Sequence, residues 1–172
     1  MAAQNYLKPS KRLMRHVGRA IADFKMINEG DRILLGVSGG KDSLSLLLIL
    51  HHLKQYAPIK FELGAITVDP QIEGFNPSPL KDYIASLGIP YFYQEQAILD
   101  QAEGSMDGDS FCSFCSRMKR GILYSTVRKE GYNVLALAQH LDDLAESFLM
   151  SAFHNGKLQT MKIGRASCRE RV

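Results

Sequence analysis

The sequence predicts an α/β fold, a doubly wound parallel sheet preceded by an N-terminal amphipathic helix. Three observations carry that expectation. Ile33–Val37 is a short, almost wholly aliphatic run that suits a strand buried on both faces, and Gly39 and Gly40 separate it from the helical apolar pattern opening at Leu44. Phe61–Val68 and Ile89–Tyr93 repeat the strand signal, with a short helix at Leu80–Leu87 between them, and Asn133–Ala138 adds a fourth buried strand. Strands alternating with helices call for parallel pairing, with helices on both faces of the sheet. In such sheets ligands bind beyond the carboxyl ends of the strands, so the glycine turn, Asp69 and the loop after Tyr93 should face one crevice.

In chain order, residues 1–8 read as an arm. From Lys11 to Phe24, Leu13, Val17, Ala20, Ile21 and Phe24 share one helical face while Lys11, Arg12, Arg15 and Arg19 take the other. That basic face is either solvated or a contact for RNA phosphates. The helix after the glycine turn, through about Gln55, carries leucines around most of its circumference and should be buried. His51 and His52 fall near its C-terminal end, where the helix dipole favours positive charge. Gln71–Pro79 is a loop, and Gly88 closes the helix at Leu80–Leu87. Ala97–Asp109 is a polar surface loop, Gly121–Glu130 continues a helix, and Leu144–Phe153 forms the last one.

Arg32–Ser43 reads R-I-L-L-G-V-S-G-G-K-D-S. A strand, a glycine turn and a helix aim free backbone N–H groups and the positive end of a helix dipole at whatever lies over the turn. Gly39 and Gly40 allow close backbone approach, Lys41 adds charge, and Ser38 and Ser43 add hydroxyls, so the expected occupant is a phosphate. Spacing excludes a Walker A loop, which would need glycine where Leu35 stands and Ser or Thr where Asp42 stands. The dinucleotide fingerprint G-x-G-x-x-G does not fit Gly36, Gly39 and Gly40 either.

Phe111–Gly121, F-C-S-F-C-S-R-M-K-R-G, places Cys112 and Cys115 three apart where a loop enters a helix. A helix start beside Arg117, Lys119 and Arg120 favours thiolates. Structural zinc, a redox dithiol and an iron–sulfur cluster are the competing chemistries; zinc wants four ligands and no second pair lies within reach by sequence. Gln139-His140-Leu141-Asp142-Asp143 then follows the fourth strand. Paired acids there can coordinate magnesium bridging ATP phosphates, and either can instead cap the next helix.

Composition narrows the classes. The 172 residues suffice for one well-buried domain, the apolar fraction of 45% is ordinary for a soluble protein, and the net charge of +3 is modest. No run approaches the ~18 apolar residues of a membrane span. Three cysteines do not make a disulfide scaffold and suit a reducing compartment. A cytoplasmic location is expected, with an organelle also compatible.

The turn S-G-G-K-D-S resembles the PP-loop of the N-type ATP pyrophosphatases, which cleave ATP between the α and β phosphates. Together with C-S-F-C-S-R-M-K-R-G-I-L-Y and A-L-A-Q-H-L-D-D, it makes the chain from about Lys11 to Lys162 look like the tRNA 2-thiocytidine synthetase family. Lysidine synthetases share the first and third motifs but lack C-x-x-C. The resemblance implies a HUP (adenine nucleotide alpha hydrolase-like), Rossmann-like domain that binds ATP with Mg2+. It implies adenylation of a cytidine in tRNA, followed by replacement of the oxygen with sulfur from a donor such as a cysteine desulfurase. It also implies a 4Fe–4S cluster on three cysteines, of which Cys112 and Cys115 match the first two, and it is compatible with a homodimer.

Residue by residue, Ser38, Gly39, Gly40, Lys41, Asp42, Ser43, Asp69 and His140 match the nucleotide site. Asp42, Lys119, Asp142 and Asp143 are the catalytic candidates, and Lys11, Arg12, Arg15, Arg19, Arg117 and Arg120 the candidate RNA contacts. Two departures stand out. Gln139-His140 replaces the adjacent histidines of many relatives, and the family's third cysteine lies downstream. Residues 1–30 are read as arm and basic helix, 31–162 as the PP-loop domain, incomplete at its C-terminus. The last ten residues, I-G-R-A-S-C-R-E-R-V, look foreign to the fold, which makes Cys168 a poor cluster ligand.

Overall fold

The computed structural model describes residues 7–71, 74, 76–97, 111–156 and 158. Most of the 97–109 loop, and Cys168 with the ten-residue tail, lie outside the described residues. Among the described residues nine elements follow one another: α1 Lys11–Asp23, β1 Arg32–Gly36, α2 Lys41–Tyr56, β2 Glu62–Asp69, α3 Ser78–Ser86, β3 Tyr91–Glu95, α4 Phe111–Lys129, β4 Val134–Ala136 and α5 Leu141–Asn155. The four strands form one parallel sheet in the order β3-β2-β1-β4.

β1 is central, and Ile33, Leu34 and Leu35 are at most 1% exposed, as a strand covered on both faces requires. Alternation then assigns its side chains. Ile33, Leu35 and Val37 pack with Leu47 and Leu50 of α2 and with Leu80 and Ile84 of α3. Leu34 and Ile66 point the other way, onto Val127 and Leu123 of α4 and onto Tyr132. Helices therefore cover both faces, as expected of a doubly wound sheet.

Two polar contacts fix where β4 lies against β1. Arg32 N–H donates to the Asn133 side chain at 2.7 Å, and Asn133 N–H returns a bond to the Arg32 carbonyl at 3.0 Å. The Arg32 guanidinium also reaches Glu62 at 2.7 Å and the Gly131 carbonyl at 2.8 Å, tying β2, β1 and the turn before β4 at one end of the sheet. Both partners of the Arg32–Glu62 pair are well exposed, so the ion pair sets register more than it adds stability.

Several elements depart from expectation. α2 and α5 each begin three residues earlier than their apolar patterns, because polar first turns belong to helices as much as apolar ones do. The cysteine stretch, by contrast, sits where expected, in the first turns of α4. α1 has the expected amphipathic pattern but no buried residue: Leu13 and Phe24 are exposed, and Val17 and Ile21 only half-covered. His51 is 5% exposed, and burial lowers its pKa, with Lys54 and His52 adding to the effect. Desolvation thus outweighs the helix-end preference for positive charge that its position suggested.

Candidate functional site

The strand order reverses between β1 and β4: the chain moves outward from β1 to β2 and β3, then crosses back through α4 to the far side of β1. Adjacent loops leave the carboxyl end of the sheet in opposite directions at such a point and open a crevice. Here those loops are Val37–Gly40, after β1, and Leu137–His140, after β4.

The first loop is shaped by bonds inside itself. Val37 N–H donates to the Ile66 carbonyl at 2.8 Å and the Thr67 hydroxyl donates to the Val37 carbonyl at 2.7 Å, holding the chain as it leaves β1. Gly39 follows at φ +86°, in the left-handed region where a side chain is strained. Ser43 is buried, and its hydroxyl donates to the Gly40 carbonyl at 2.9 Å while accepting from the Ser38 N–H and hydroxyl, both at 3.3 Å. Ser43 therefore folds the loop, while Ser38, Gly39, Gly40, Lys41 and Asp42 remain exposed at the N-terminus of α2. An anion placed there meets backbone N–H groups, the dipole of a 16-residue helix and the Lys41 ammonium.

The second loop delivers His140 to the first. His140 is the N-cap of α5, and its backbone N–H donates to the Asp143 carboxylate at 2.9 Å, closing a capping box. Its ring stands between two acids, Nε2 at 3.8 Å from Asp42 Oδ2 and Nδ1 at 3.6 Å from Asp143 Oδ2. Asp42 and His140 are 98 positions apart in sequence and meet only because β4 lies beside β1. Asp143 is thus part cap and part site, and Asp142 is exposed in the same first turn. Beyond His140 a groove of about 700 Å³ runs between Ala138, Gln139 and the α5 stripe Asp143, Glu146, Ser147 and Met150. Glu146 was not singled out from the sequence; its spacing of three from Asp143 on one helix face was the available signal.

Asp69 ends β2 and is 8% exposed. One oxygen accepts the Gln71 N–H at 2.7 Å, and the other accepts the Tyr93 phenol of β3. The Lys81 ammonium of α3 stands 4.2 Å from the centre of the Tyr93 ring. The hydrogen bond to Asp69, with lesser contributions from burial and the charges of Asp69 and Glu95, pushes the Tyr93 pKa up to about 12. A phenol raised in the folded state contributes stability fully below its unfolded pKa of about 10 and loses it as pH climbs towards 12. Denaturant midpoints should fall between pH 10 and 12 in the wild type and fall less in Tyr93→Phe. Parallel pH curves would show that the phenol–carboxylate bond contributes nothing to stability.

α4 runs back from the carboxyl end of the sheet to the start of β4, so its first turns belong at the crevice end. Leu123 of α4 lies 4.0 Å from where a Cβ on Gly36 would stand, at the last residue of β1. Cys115 and Lys119, two and one turns earlier, are half-buried, and Arg117 and Arg120 are exposed. Cys115 carries a free thiol; Cys112 lies one helical turn before it, its side chain outside the described residues. Among the described residues no group of three or more His, Cys, Asp or Glu side chains is placed to hold a metal ion.

The remaining candidates are not brought to the crevice. The C-terminal half of α1 lines an apolar groove with Leu53 and Ala57, at the far end of α2 from the phosphate turn. Sixteen residues separate the ends of α2 by about 24 Å. Lys11, Arg12, Arg15 and Arg19 are all exposed on α1, and Arg19 pairs with Asp23 at 3.5 Å.

A family model described as a PP-loop domain matches residues 9–170. The tRNA-cytidine(32) 2-sulfurtransferase of Tolumonas auensis is 44% identical over 158 residues, which is 91% of this chain and 52% of that protein. The protein of the same name from Pelobacter propionicus is 46% identical over 155 residues, covering 89% of this chain and 58% of its own. The chain thus spans about half the length of the curated relatives it matches. Among solved structures, the U34-tRNA thiolase NcsA from Methanococcus maripaludis, with its 4Fe–4S cluster, superposes with a TM-score of 0.68 at 25% identity, over 84% of this chain and 50% of that one.

Proposed function

The chain belongs to the PP-loop domain family, and from that premise we propose that it is the nucleotide-binding part of an ATP-dependent tRNA thiolase making 2-thiocytidine. One observation carries the reading: the phosphate turn and the H-x-D-D loop meet across the β1/β4 switch, with His140 between Asp42 and Asp143. A phosphate turn alone would serve many nucleotide proteins. Acids and an imidazole beside it provide for charge and proton movement where a phosphoryl bond breaks.

ATP lies with its phosphates over residues 38–41, backbone N–H groups and Lys41 offsetting their charge. Mg2+ prefers oxygen ligands and keeps one or two carboxylates alongside phosphates, a role Asp42, Asp142 and Asp143 fit by type and exposure. The cytosine O2 attacks the α-phosphorus, the bond to the β-phosphate oxygen breaks, and pyrophosphate leaves. The base, now an O2-adenylate at C2, loses AMP when a sulfur nucleophile attacks that carbon. The groove beyond His140, about 700 Å³ in volume, is where the target nucleotide would lie. Cys112 and Cys115 would hold two irons of a 4Fe–4S cluster, whose chemistry when bound is to present sulfur to the activated carbon. A donor such as a cysteine desulfurase replenishes that sulfur as a persulfide, and a thiol reductant supplies the two electrons that bring it to the sulfide level. The exposed Arg117 and Arg120, near the crevice, and the more distant basic face of α1 supply phosphate contacts for an extended RNA. This reading places the protein in the cytoplasm, acting on tRNA.

The test is tRNA-dependent exchange of radiolabelled pyrophosphate into ATP by the 172-residue chain with Mg2+. Exchange that needs a cytidine-bearing tRNA is the expected result. Nucleotide binding without any exchange would make this chain a binding module only.

A further inference from the structure

We propose that Tyr93 is a positioning residue for the nucleoside end of the nucleotide, acting through Asp69 under a Lys81 lid. The inference rests on the nucleotide reading above and concerns a part of the crevice that the phosphate chemistry does not use.

Phosphates over residues 38–41 leave a nucleoside two directions, over the end of β4 or over the end of β2. The β4 side is occupied by the His140 ring between its two acids. The β2 side is where α3 comes down onto the phosphate turn, Leu80 lying 3.5 Å from where a Cβ on Gly39 would stand. Asp69 ends β2 on that side. Each of its carboxylate oxygens already accepts one hydrogen bond, from Gln71 N–H and from the Tyr93 phenol. A carboxylate oxygen has two lone pairs, so each can still accept a ribose hydroxyl.

The two bonds in place fix the carboxylate plane from opposite sides, one through the backbone of the following turn and one through the neighbouring strand. The Lys81 ammonium lies over the Tyr93 ring and ties α3 to β3 beside Asp69. A phenol needed only for packing would require neither the carboxylate nor the cation. The three groups come from β2, α3 and β3, and together they make a preset acceptor for a vicinal diol.

The test separates the two ends of the nucleotide. Affinities of AMP and of inorganic pyrophosphate are measured by calorimetry for the wild-type chain, Tyr93→Phe and Lys81→Gln, at one Mg2+ concentration. Tyr93→Phe should weaken AMP about tenfold, the scale of a lost hydrogen bond to a charged group, and leave pyrophosphate within about twofold. Lys81→Gln should weaken AMP less, about threefold, since the phenol–carboxylate bond survives. A merely structural Tyr93 would lower both affinities together. That outcome, or AMP binding unchanged in Tyr93→Phe, overturns the proposal. A wild-type chain that binds pyrophosphate but not AMP also overturns it and leaves the phosphate turn intact as a site. One that binds neither ligand overturns the nucleotide reading itself.

Discussion

Lys41→Ala is expected to weaken ATP binding about ten- to a hundredfold while leaving the melting temperature of the ligand-free protein unchanged. The magnitude follows from deleting one charged donor to phosphate, worth about 1.5–3 kcal/mol, at about 1.4 kcal/mol per decade. Unchanged stability follows from position: Lys41 is exposed at the first residue of α2, and alanine suits a helix at least as well. Ser43→Ala should behave differently. Its hydroxyl holds Ser38 and the Gly40 carbonyl within the turn, so its loss should lower stability before any nucleotide is added. Titration calorimetry with ATP, alongside thermal unfolding without it, separates the two. Lys41→Ala binding ATP within twofold of wild type would remove this turn from the phosphate site. A fall in melting temperature equal to that of Ser43→Ala would give Lys41 a structural role instead.

The contrast between Lys41 and Ser43 shows where reading residues in order stops. Their types and spacing announced a phosphate turn, because a strand, two glycines and a helix form one local unit whose geometry is set within a dozen residues. Nothing local distinguishes the serine that faces the ligand from the serine that folds the turn; that depends on which hydroxyl the helix buries. The parallel sheet was legible for a similar reason, since each strand carries its own apolar signature and the connections leave few arrangements. The meeting of Asp42 with His140 was expected only as a shared crevice, and their contact depends on β4 inserting beside β1 after a long crossover. Tyr93 and Lys81 were passed over because an aromatic in a strand reads as core and a lysine on a short helix reads as solvated. At His51 the helix dipole favours positive charge, but packing of the helix takes the ring out of water and lowers its pKa. On α1 the apolar spacing identifies a face, and the exposure of Leu13 and Phe24 shows that periodicity does not say what covers it.

Gly64→Ala is expected to cost about 3 kcal/mol of stability, the upper end of the overpacking range, and to lower the melting temperature by about 6–12 °C. Gly64 sits in the middle of β2, opposite Leu34, where a strand would ordinarily prefer a β-branched residue. The space its side chain would fill is taken by Tyr132 from the turn before β4: a Cβ there would clash with the phenolic oxygen and come within 2.6 Å of Cζ. That ring cannot easily yield. It is 8% exposed, packs among Leu34, Ile66 and Val127, meets Phe92 edge-on at 5.9 Å and carries the Arg32 guanidinium 5.1 Å from its centre. Arg32 is also the residue that registers β4 against β1, so a displaced Tyr132 disturbs the pairing that brings His140 to Asp42. Tyr132→Leu removes the outer part of the ring, so combining it with Gly64→Ala should give a double variant more stable than the sum of the single losses by at least about 1 kcal/mol. Denaturant unfolding of the four proteins measures that coupling. Gly64→Ala within about 0.5 kcal/mol of wild type, or strictly additive losses, would mean that the ring moves freely and the glycine is not there to admit it.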